Sequence, residues 1–423
     1  MRFHQQRDQL LAEVHARPST PLDPPVLVTR LAALSSLGTD DLDRMHMADL
    51  CRRYDHAGPA SGMRWCALEA DGWQLRWERH SEFSSWTFSR PLADGAADAL
   101  AEVPADWLAG IPGPVLVLTT VLLVGADESA AESPGRQADE IGVELLGGAA
   151  TLTTDLRADA AGMTHFRLSM RAPDPVLAGR LALTVIEIET YRLMALLAFP
   201  VATAAASQLR ELEQEAEALA GRLAEDLGVE DDRSLLSRLV ALSGRMEALS
   251  ASTNFRFAAG QAYHGIVLGR IQSLRETPLP GMQGIGEFMD RRLGPAMRTC
   301  QSIAERERGV IARIARAGQM LNTRIELVTQ AINADLLHSM DRRTLAQLRL
   351  QRTVEGLSVV AISYYAIALL GFPIAALTKL RTEVDATLTA GVLAPLVVLI
   401  VWLSLARIRR GLEVAETKGE RQP

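Results

Sequence analysis

The sequence predicts an α+β protein in three parts: an N-terminal α/β domain, a long helical and coiled-coil region, and a C-terminal transmembrane hairpin of two helices. Strand-like runs separated by turn residues recur from Pro25 to about Pro175, and after them apolar residues recur at helical steps of three and four. Two uncharged runs, 358–377 and 386–406, are each about 20 residues long, which is enough to cross a bilayer as helix. The predicted domains are 1–175, 176–355 with a long stalk helix, 356–406 for the hairpin, and 407–423 for a basic and then polar tail.

Composition narrows the classes of function. The chain has 423 residues and a formal net charge of -7, whereas a general nucleic-acid binder carries a basic face, so we expect no nucleic-acid partner. Its three cysteines are odd in number and widely spaced, which excludes a disulfide framework and matches no zinc pattern, so we expect reduced thiols. The polar N-terminus lacks the apolar core of a signal peptide, so we expect the soluble part to stay in the cytoplasm.

The first domain is predicted from strand-like runs between turn signals. Asp71-Gly72 is a hairpin-turn dipeptide, and residues 115–124 are apolar throughout, as in a strand buried on both faces. Residues 126–140 are polar and contain Pro134-Gly135, which indicates a surface loop. The predicted strands are 26–34, 63–69, 73–88, 115–124, 150–156 and 164–170, and the predicted helices are 40–53 and 92–100.

The helical region is predicted to contain long helices. Residues 177–206 form an apolar helix disturbed at Pro200, and 209–227 carries leucine and alanine at coiled-coil spacing. A second helix follows, and the third extends from 296 to 372 over roughly 77 residues, or roughly 115 Å of helix. Its apolar stripe needs a cover from the preceding helices or from other copies of the chain, so we expect a homo-oligomer.

The two spans are joined by a short turn at 378–385, which predicts a hairpin with both ends on one side of the membrane. Lysine and arginine favour the cytoplasmic side. The turn carries only Lys379 and Arg381, whereas arginines flank both spans at the other side. We therefore expect a bacterial inner-membrane protein with two spans, both termini cytoplasmic, and the lipid bilayer as a partner. The flanking arginines are Arg342, Arg343, Arg349, Arg352, Arg407, Arg409 and Arg410.

Glu78, His80 and Glu82 form the run with the most chemical character. On one continuous strand their side chains share a face, where carboxylate oxygens and an imidazole could bind a divalent cation. The alternative is an amphipathic strand with a solvated polar face. Apart from such a cation, we expect no cofactor.

A stripe of small and polar residues marks the first span. It could line a pore in an oligomer, or it could let helices pack closely. The stripe consists of Thr353, Gly356, Val360, Tyr364, Ala368 and Gly371.

The sequence carries none of the catalytic and nucleotide-binding motifs that we considered. It has no Walker A loop, no Gly-x-Gly-x-x-Gly run after a strand, no Gly-x-Ser-x-Gly elbow and no His-Glu-x-x-His pair. The run His15-Ala16-Arg17-Pro18 has no partner in the sequence and predicts a docking segment in preference to a catalytic one. We therefore expect that the protein is not an enzyme.

Five distinctive runs are spread over nearly the whole chain. They are EVHARP (13–18), RWERHSEFSSWTF (76–88), TNFRF (253–257), IGEFMDRRLGPAMRTC (285–300) and LQRTVEGLSVVAISYYA (350–366). Together they resemble a bacterial family of uncharacterised membrane-anchored proteins. The resemblance implies membrane anchoring and supplies no activity.

The order of the parts resembles the CorA-like magnesium and zinc transport family. That resemblance implies a cytoplasmic α/β domain, a stalk helix running into the first span, and five copies around a pore lined by that span. The family signature Gly-Met-Asn corresponds here to Leu370-Gly371-Phe372-Pro373, so only the glycine matches. The asparagine amide that would face a hydrated cation is absent, which argues against uptake of divalent cations.

Two functions follow as expectations. The first is a CorA-like oligomeric ion channel or transporter of the inner membrane with Tyr364 at a constriction. The second is a membrane-anchored scaffold or interaction protein without transport activity, in which the hairpin only holds the large soluble region at the membrane.

Overall fold

The protein has two compact units, Met1–Leu321 and Asn322–Pro423. Its structure is a computed structural model. The residues that the structure describes are 3–5, 7, 20–35, 41–70, 72–92, 99–125, 140–224, 229–378, 391–404 and 406–407.

The first unit is built around one nine-stranded sheet. Its strands are β1 (Val26–Leu34), β2 (Trp65–Ala70), β3 (Trp73–Arg79), β4 (Phe83–Pro91), β5 (Val115–Gly125), β6 (Ile141–Leu145), β7 (Ala150–Thr154), β8 (Thr164–Met170) and β9 (Thr277–Pro278). Their order across the sheet is β2-β3-β4-β1-β5-β8-β7-β6-β9. Neighbours pair antiparallel except β5 and β8, which pair parallel.

Two short helices cover one face of the sheet at its β2–β3–β4–β1 end. They are α1 (Leu42–Arg53) and α2 (Ala105–Ala109). Successive residues of a strand point to opposite faces, and aromatic residues occupy this face of β3 and β4. Trp77 and Trp86 are opposite one another in the register and pack with Trp107 of α2 in one buried cluster. This cluster is the core of that end of the sheet.

Long helices cover the other face from β1 to β6. They are α3 (Pro175–Leu196), α4 (Ala198–Leu223), α5 (Val229–Leu274) and α6 (Ile285–Thr378). Asp174 caps the N-terminus of helix α3, because its carboxylate accepts a hydrogen bond of 3.0 Å from the backbone N–H of Leu177. Apolar residues of α3, α5 and the start of α6 form one core with β1, β5, β8, β7 and β6.

Helices α4, α5 and the first part of α6 pack together as a bundle. Leucine and alanine residues of α4 and α5 are buried at three- and four-residue steps, and ion pairs connect α4 to both neighbours. Glu213 pairs with Arg306 at 2.5 Å, and Glu215 pairs with Arg245 at 2.6 Å. The buried stripe on α6 consists of Ile303, Val310, Ile314, Ala317 and Leu321.

The second unit contains the remainder of α6 and the short apolar helix α7 (Gly391–Ser404). By length and composition α6 can cross a membrane, and its apolar window is only 6% buried. Two of the described residues of this unit are buried, namely Ser363 of α6 and Val397 of α7, which are 4% and 8% exposed.

The mixed α+β class and the long C-terminal helix are confirmed, while several predicted bounds are wrong. The predicted strand 73–88 is two strands, because the chain turns between Arg79 and Phe83. The predicted helix 177–206 is likewise two helices that meet at Leu197. Pro200 then lies in the first turn of α4, where the missing N–H removes no helical hydrogen bond.

Other predictions lie partly or wholly outside the described residues. Most of the predicted loop 126–140 and of the predicted helix 92–100 belongs to this group, and so does the turn at 378–385. The predicted domain boundary near residue 175 falls between β8 and α3, inside the first unit.

Candidate functional site

A groove beside α3 is the strongest candidate site in the first unit. Trp73 and Trp77 of β3 are buried against α1 and α2, so the alternate residues Arg76 and Glu78 face the opposite side of the sheet. Helix α3 packs chiefly over β5 and β1. The polar face of β2, β3 and β4 therefore borders the flank of α3 and forms the groove.

Arg30, Thr87 and Arg76 form one row across the floor of the groove. In the strand register Arg30 lies opposite Thr87, and Thr87 lies opposite Arg76. The Nε of Arg30 donates a hydrogen bond of 2.9 Å to the Thr87 hydroxyl. Arg30 is only 2% exposed, yet its Nη2 has no hydrogen-bond partner among the described residues. An unsatisfied buried donor of this kind costs about 1–3 kcal/mol of stability.

Glu78 supplies the negative charge beside this row. Its carboxylate lies 2.7 Å from Arg76 Nη2 and 3.8 Å from Arg30 Nη2, so only the contact with Arg76 has hydrogen-bond length. Burial opposes ionisation of Glu78, but the Arg30 and Arg76 guanidiniums outweigh it and lower the pKa of the carboxyl. Glu78 is therefore an anion at neutral pH.

Glu187 extends the charged cluster onto α3. Its carboxylate pairs with Arg270 of α5 at 2.7 Å. Burial raises the pKa of the Glu187 carboxyl, and the Arg30 and Arg270 guanidiniums counteract that effect. Burial and the Glu187 charge also raise the pKa of Tyr191, one turn further along the helix. The cluster therefore contains three guanidiniums, from Arg30, Arg76 and Arg270, and two carboxyl groups.

The groove encloses a cavity of about 430 Å³. Arg30, Arg76 and Thr87 line its sheet side, and Gly179, Ala182 and Ile186 of α3 are among its lining residues on the helix side. Leu22 and Val28 add apolar surface. Guanidinium groups donate forked hydrogen bonds to planar anions, so the arrangement suits anion binding.

The predicted metal residues do not come together. Glu78 belongs to the groove, whereas His80 and Glu82 lie in the turn between β3 and β4. The His80 ring stacks on Phe83 at 4.1 Å between centroids. Among the residues that the structure describes, no group of three His, Cys, Asp or Glu side chains could hold a metal ion. A change of direction after Arg79 separates the donors that a continuous strand would align.

Glu82 makes a different set of contacts. It accepts a hydrogen bond of 2.8 Å from the Tyr263 hydroxyl and pairs with Arg256, and both partners belong to α5. The Tyr263 ring stacks on Tyr191 at 5.6 Å between centroids. Glu82 thus attaches the β3–β4 turn to the long helices and is not placed to bind a cation with Glu78.

The predicted pore-lining residues all lie on α6 in the second unit. Val360 and Tyr364 are each 70% exposed, and Gly371 is half-buried. The complete set is Thr353, Gly356, Val360, Tyr364, Ala368 and Gly371. The structure therefore leaves this stripe largely uncovered by the described part of the chain.

Two further features that the sequence analysis considered are the run 15–18 and the cysteines. The run 15–18 lies outside the described residues. Cys51 of α1 and Cys66 of β2, 15 positions apart in sequence, meet in the fold and share a thiol hydrogen bond. That bond raises the pKa of the Cys51 thiol, which burial raises further, and lowers the pKa of the Cys66 thiol.

Sequence reasoning missed the groove. The signal in the sequence is Arg30, a single charged residue inside the apolar run 26–34, which the sequence predicts as a strand and which the structure shows to be buried. A charge on a buried strand needs a partner or a ligand. The identity of its neighbours Arg76 and Thr87 depends on the order β3-β4-β1, which residue spacing alone does not give.

Comparison with known proteins assigns the chain to a family. Neither the curated proteins nor the solved structures provide a match to this chain. Residues 2–412, nearly the whole chain, match a family described as "Protein of unknown function (DUF3422)". Because the match covers far more than half of the sequence, the chain belongs to the DUF3422 family.

Proposed function

We propose that this chain is an integral protein of the bacterial inner membrane, with two spans and a large cytoplasmic region. The observation that carries the proposal is the exposed apolar surface of α6 in the second unit. Leu357 and Phe372 are 71% and 76% exposed there. A soluble helix buries an apolar stripe, whereas a membrane helix leaves apolar side chains for lipid.

The second span is proposed to include α7. Its described residues, Gly391–Ser404, form an apolar helix that is too short by itself to cross a bilayer. The uncharged sequence extends from 386 to 406 and supplies the remaining length. Arginines at both flanks and only two basic residues in the turn favour cytoplasmic termini.

Within the membrane, we propose a homo-oligomer and, as the candidate activity, a CorA-like ion channel or transporter. Two spans cannot enclose a pore, so several chains must contribute their first span. The apolar stripe of α6 is covered up to Leu321, but Ile332 and Leu336 further along it are 50% and 56% exposed. This uncovered stripe supports self-association of the kind that a pore requires.

A membrane-anchored scaffold is the second candidate. The observation in its favour is the run Leu370-Gly371-Phe372-Pro373, which keeps only the glycine of the Gly-Met-Asn signature. Without the asparagine amide, the outer end of the span lacks the group that would face a hydrated cation. In this alternative the exposed stripe would serve helix packing alone.

Cysteine labelling tests the topology. A Thr382→Cys variant should react with a membrane-impermeant maleimide added to intact cells, because the turn is proposed to lie outside. Glu247→Cys, at an exposed position of α5, is the matched control and should react only after permeabilisation. Reaction of Thr382→Cys solely after permeabilisation would overturn the two-span arrangement.

Oligomeric state and ion flux distinguish the channel from the scaffold. The purified chain should form a ring of several copies in detergent and conduct ions in liposomes. Tyr364→Ala should change the flux, while Tyr365→Ala, a neighbour off the stripe that is 67% exposed, should change it little. A monomer or dimer without flux would support the scaffold, and equal effects of the two substitutions would remove Tyr364 from the constriction.

A further inference from the structure

The groove beside α3 contains a buried cation that the fold leaves incompletely paired. The Nε of Arg30 donates its hydrogen bond to Thr87. The Nη2 of Arg30 lies 3.8 Å from the Glu78 carboxylate, which is beyond hydrogen-bond length. Glu78 instead forms its short contact with Arg76. Arg30 is among the residues that line the cavity, and its buried Nη2 has no hydrogen-bond acceptor among the described residues.

We propose that this cavity binds a small organic monocarboxylic acid, whose carboxylate pairs with Arg30 and whose apolar body lies against α3. The site belongs wholly to the first unit and is independent of any transport by the membrane spans. It goes beyond the proposed function because it assigns a ligand to the soluble region.

Charge supports a monoanion. Arg30 and Arg76 carry two positive charges on the floor of the groove and Glu78 carries one negative charge, whereas Arg270, which is 46% exposed, and Glu187 pair with each other. One positive charge is therefore left over, and a single carboxylate neutralises it. A phosphate dianion would instead leave a buried negative charge, which is costly without a further partner. Glu69 also lines the cavity, but it is exposed and accepts a hydrogen bond of 3.2 Å from Gln74.

The cavity walls support an apolar ligand body. Leu22, Val28, Ala182 and Ile186 are all buried and present aliphatic carbon to the cavity. A volume of about 430 Å³ accommodates an acid of metabolite size, within the usual range of about 300–1,000 Å³ for small-molecule pockets. An inorganic anion would pair with Arg30 but would make no apolar contact with these aliphatic side chains.

The backbone forms a fixed wall at one end of the cavity. A Cβ at Gly179 would lie 2.0 Å from the carbonyl oxygen of Thr20, so only glycine lets the incoming chain pass so close to α3. Thr20 and Gly179 both line the cavity, and the backbone N–H of Leu22 donates to Pro175 at the start of the helix. The wall at this end is therefore fixed before a ligand arrives, which lowers the ordering cost of binding.

Calorimetric titration of the full chain in detergent tests the proposal. The probes are hexanoate and phenylacetate as monocarboxylates, hexanol as the neutral analogue, and inorganic phosphate. We expect at least one acid to bind with a stoichiometry of one per chain, and hexanol and phosphate to give no saturable binding. Because charge-assisted hydrogen bonds carry the head group, Arg30→Met should weaken binding roughly 10- to 100-fold.

Two further variants keep the test decisive if Arg30→Met fails to fold. Ile186→Trp retains Arg30 but fills the cavity, and it should abolish binding. Arg245→Met removes a half-exposed arginine of α5 far from the row and should leave binding unchanged. Circular dichroism verifies that each variant is folded before titration.

Three results would overturn the proposal. Hexanol binding as tightly as hexanoate would mean that Arg30 contributes nothing to recognition. Saturable phosphate binding without acid binding would assign the site to a different class of anion. Absence of binding by both acids, or binding that persists in Ile186→Trp, would remove the site from this cavity.

Discussion

Tyr263 donates a hydrogen bond of 2.8 Å to Glu82, a residue 181 positions earlier in the chain. Arg256, two turns before Tyr263 on α5, pairs with the same carboxylate. Burial and the neighbouring Glu82 carboxylate raise the pKa of the Tyr263 phenol, so it stays protonated and can donate. This contact joins the β3–β4 turn to the helix that continues toward the bundle.

Removing that hydroxyl should destabilise the protein. Tyr263→Phe loses one hydrogen bond to a charged acceptor, and we expect the free energy of unfolding to fall by about 1.5–3 kcal/mol. Tyr54→Phe is the matched control, because the Tyr54 ring contacts Trp73 edge-on and its hydroxyl has no partner among the described residues. Urea unfolding followed by tryptophan fluorescence measures both. Equal stability of the two variants would mean that the bond to Glu82 is negligible.

Glu307 should make stability depend on pH. It is 3% exposed in the helical bundle, and the Thr253 hydroxyl donates to its carboxylate at 3.0 Å. Burial raises the pKa of the Glu307 carboxyl above 4.5, and the Thr253 hydrogen bond offsets part of that effect. The folded state therefore binds this proton more tightly than the unfolded state does, so stability is lost as the pH rises above 4.5 through the folded pKa.

Glu307→Gln isolates this dependence. The neutral amide does not ionise, so the variant should gain stability relative to the parent chain as the pH rises from 4 to 8. Glu305→Gln, at an exposed position two residues earlier on α6, is the matched control for the substitution itself. Thermal unfolding at a series of pH values gives the comparison, and a pH-independent difference for Glu307→Gln would contradict the raised pKa.

The sequence predicts local structure here better than it predicts contacts between distant residues. Apolar runs predicted β1 and β5, and an apolar stripe at helical spacing predicted the long helix α6, which buries Ile303, Val310 and Leu321. The sequence analysis did not predict β9, because this strand has only two residues and is defined by its pairing with Val143 and Glu144.

At the candidate site, too, the sequence did not predict which distant residues come into contact. Spacing suggested that Glu78, His80 and Glu82 act together, but the turn after Arg79 gives each of them a different neighbour. Arg30 and Arg76 come together because β4 lies between β1 and β3, and this order is a property of the whole sheet. Residue periodicity carries information about faces, whereas strand order depends on long-range packing.

Gly179 should be intolerant of a side chain. Its added Cβ would meet the Thr20 carbonyl at 2.0 Å, so Gly179→Ala forces the segment before β1 away from α3. We expect a loss of about 1–3 kcal/mol, as for other overpacked sites. Gly221→Ala is the control, because nothing lies within 4 Å of the added Cβ on α4 and alanine favours helix by about 1 kcal/mol. Opposite shifts in the unfolding midpoint are expected, and a stabilising Gly179→Ala would be inconsistent with the close approach.

Cys66 should be the most reactive of the three thiols. It is half-buried, and the hydrogen bond from Cys51 lowers the pKa of its thiol, so the thiolate that attacks an alkylating agent forms more readily. Cys51 and Cys300 are buried; the hydrogen bond with Cys66 raises the pKa of the Cys51 thiol, and burial raises the pKa of the Cys300 thiol. A short pulse of iodoacetamide followed by peptide mass spectrometry should find Cys66 modified first. Cys51→Ala removes the donor and should slow the reaction of Cys66, although it opens space beside that thiol. Faster reaction in Cys51→Ala would show that access, and not the hydrogen bond, controls the reactivity of Cys66.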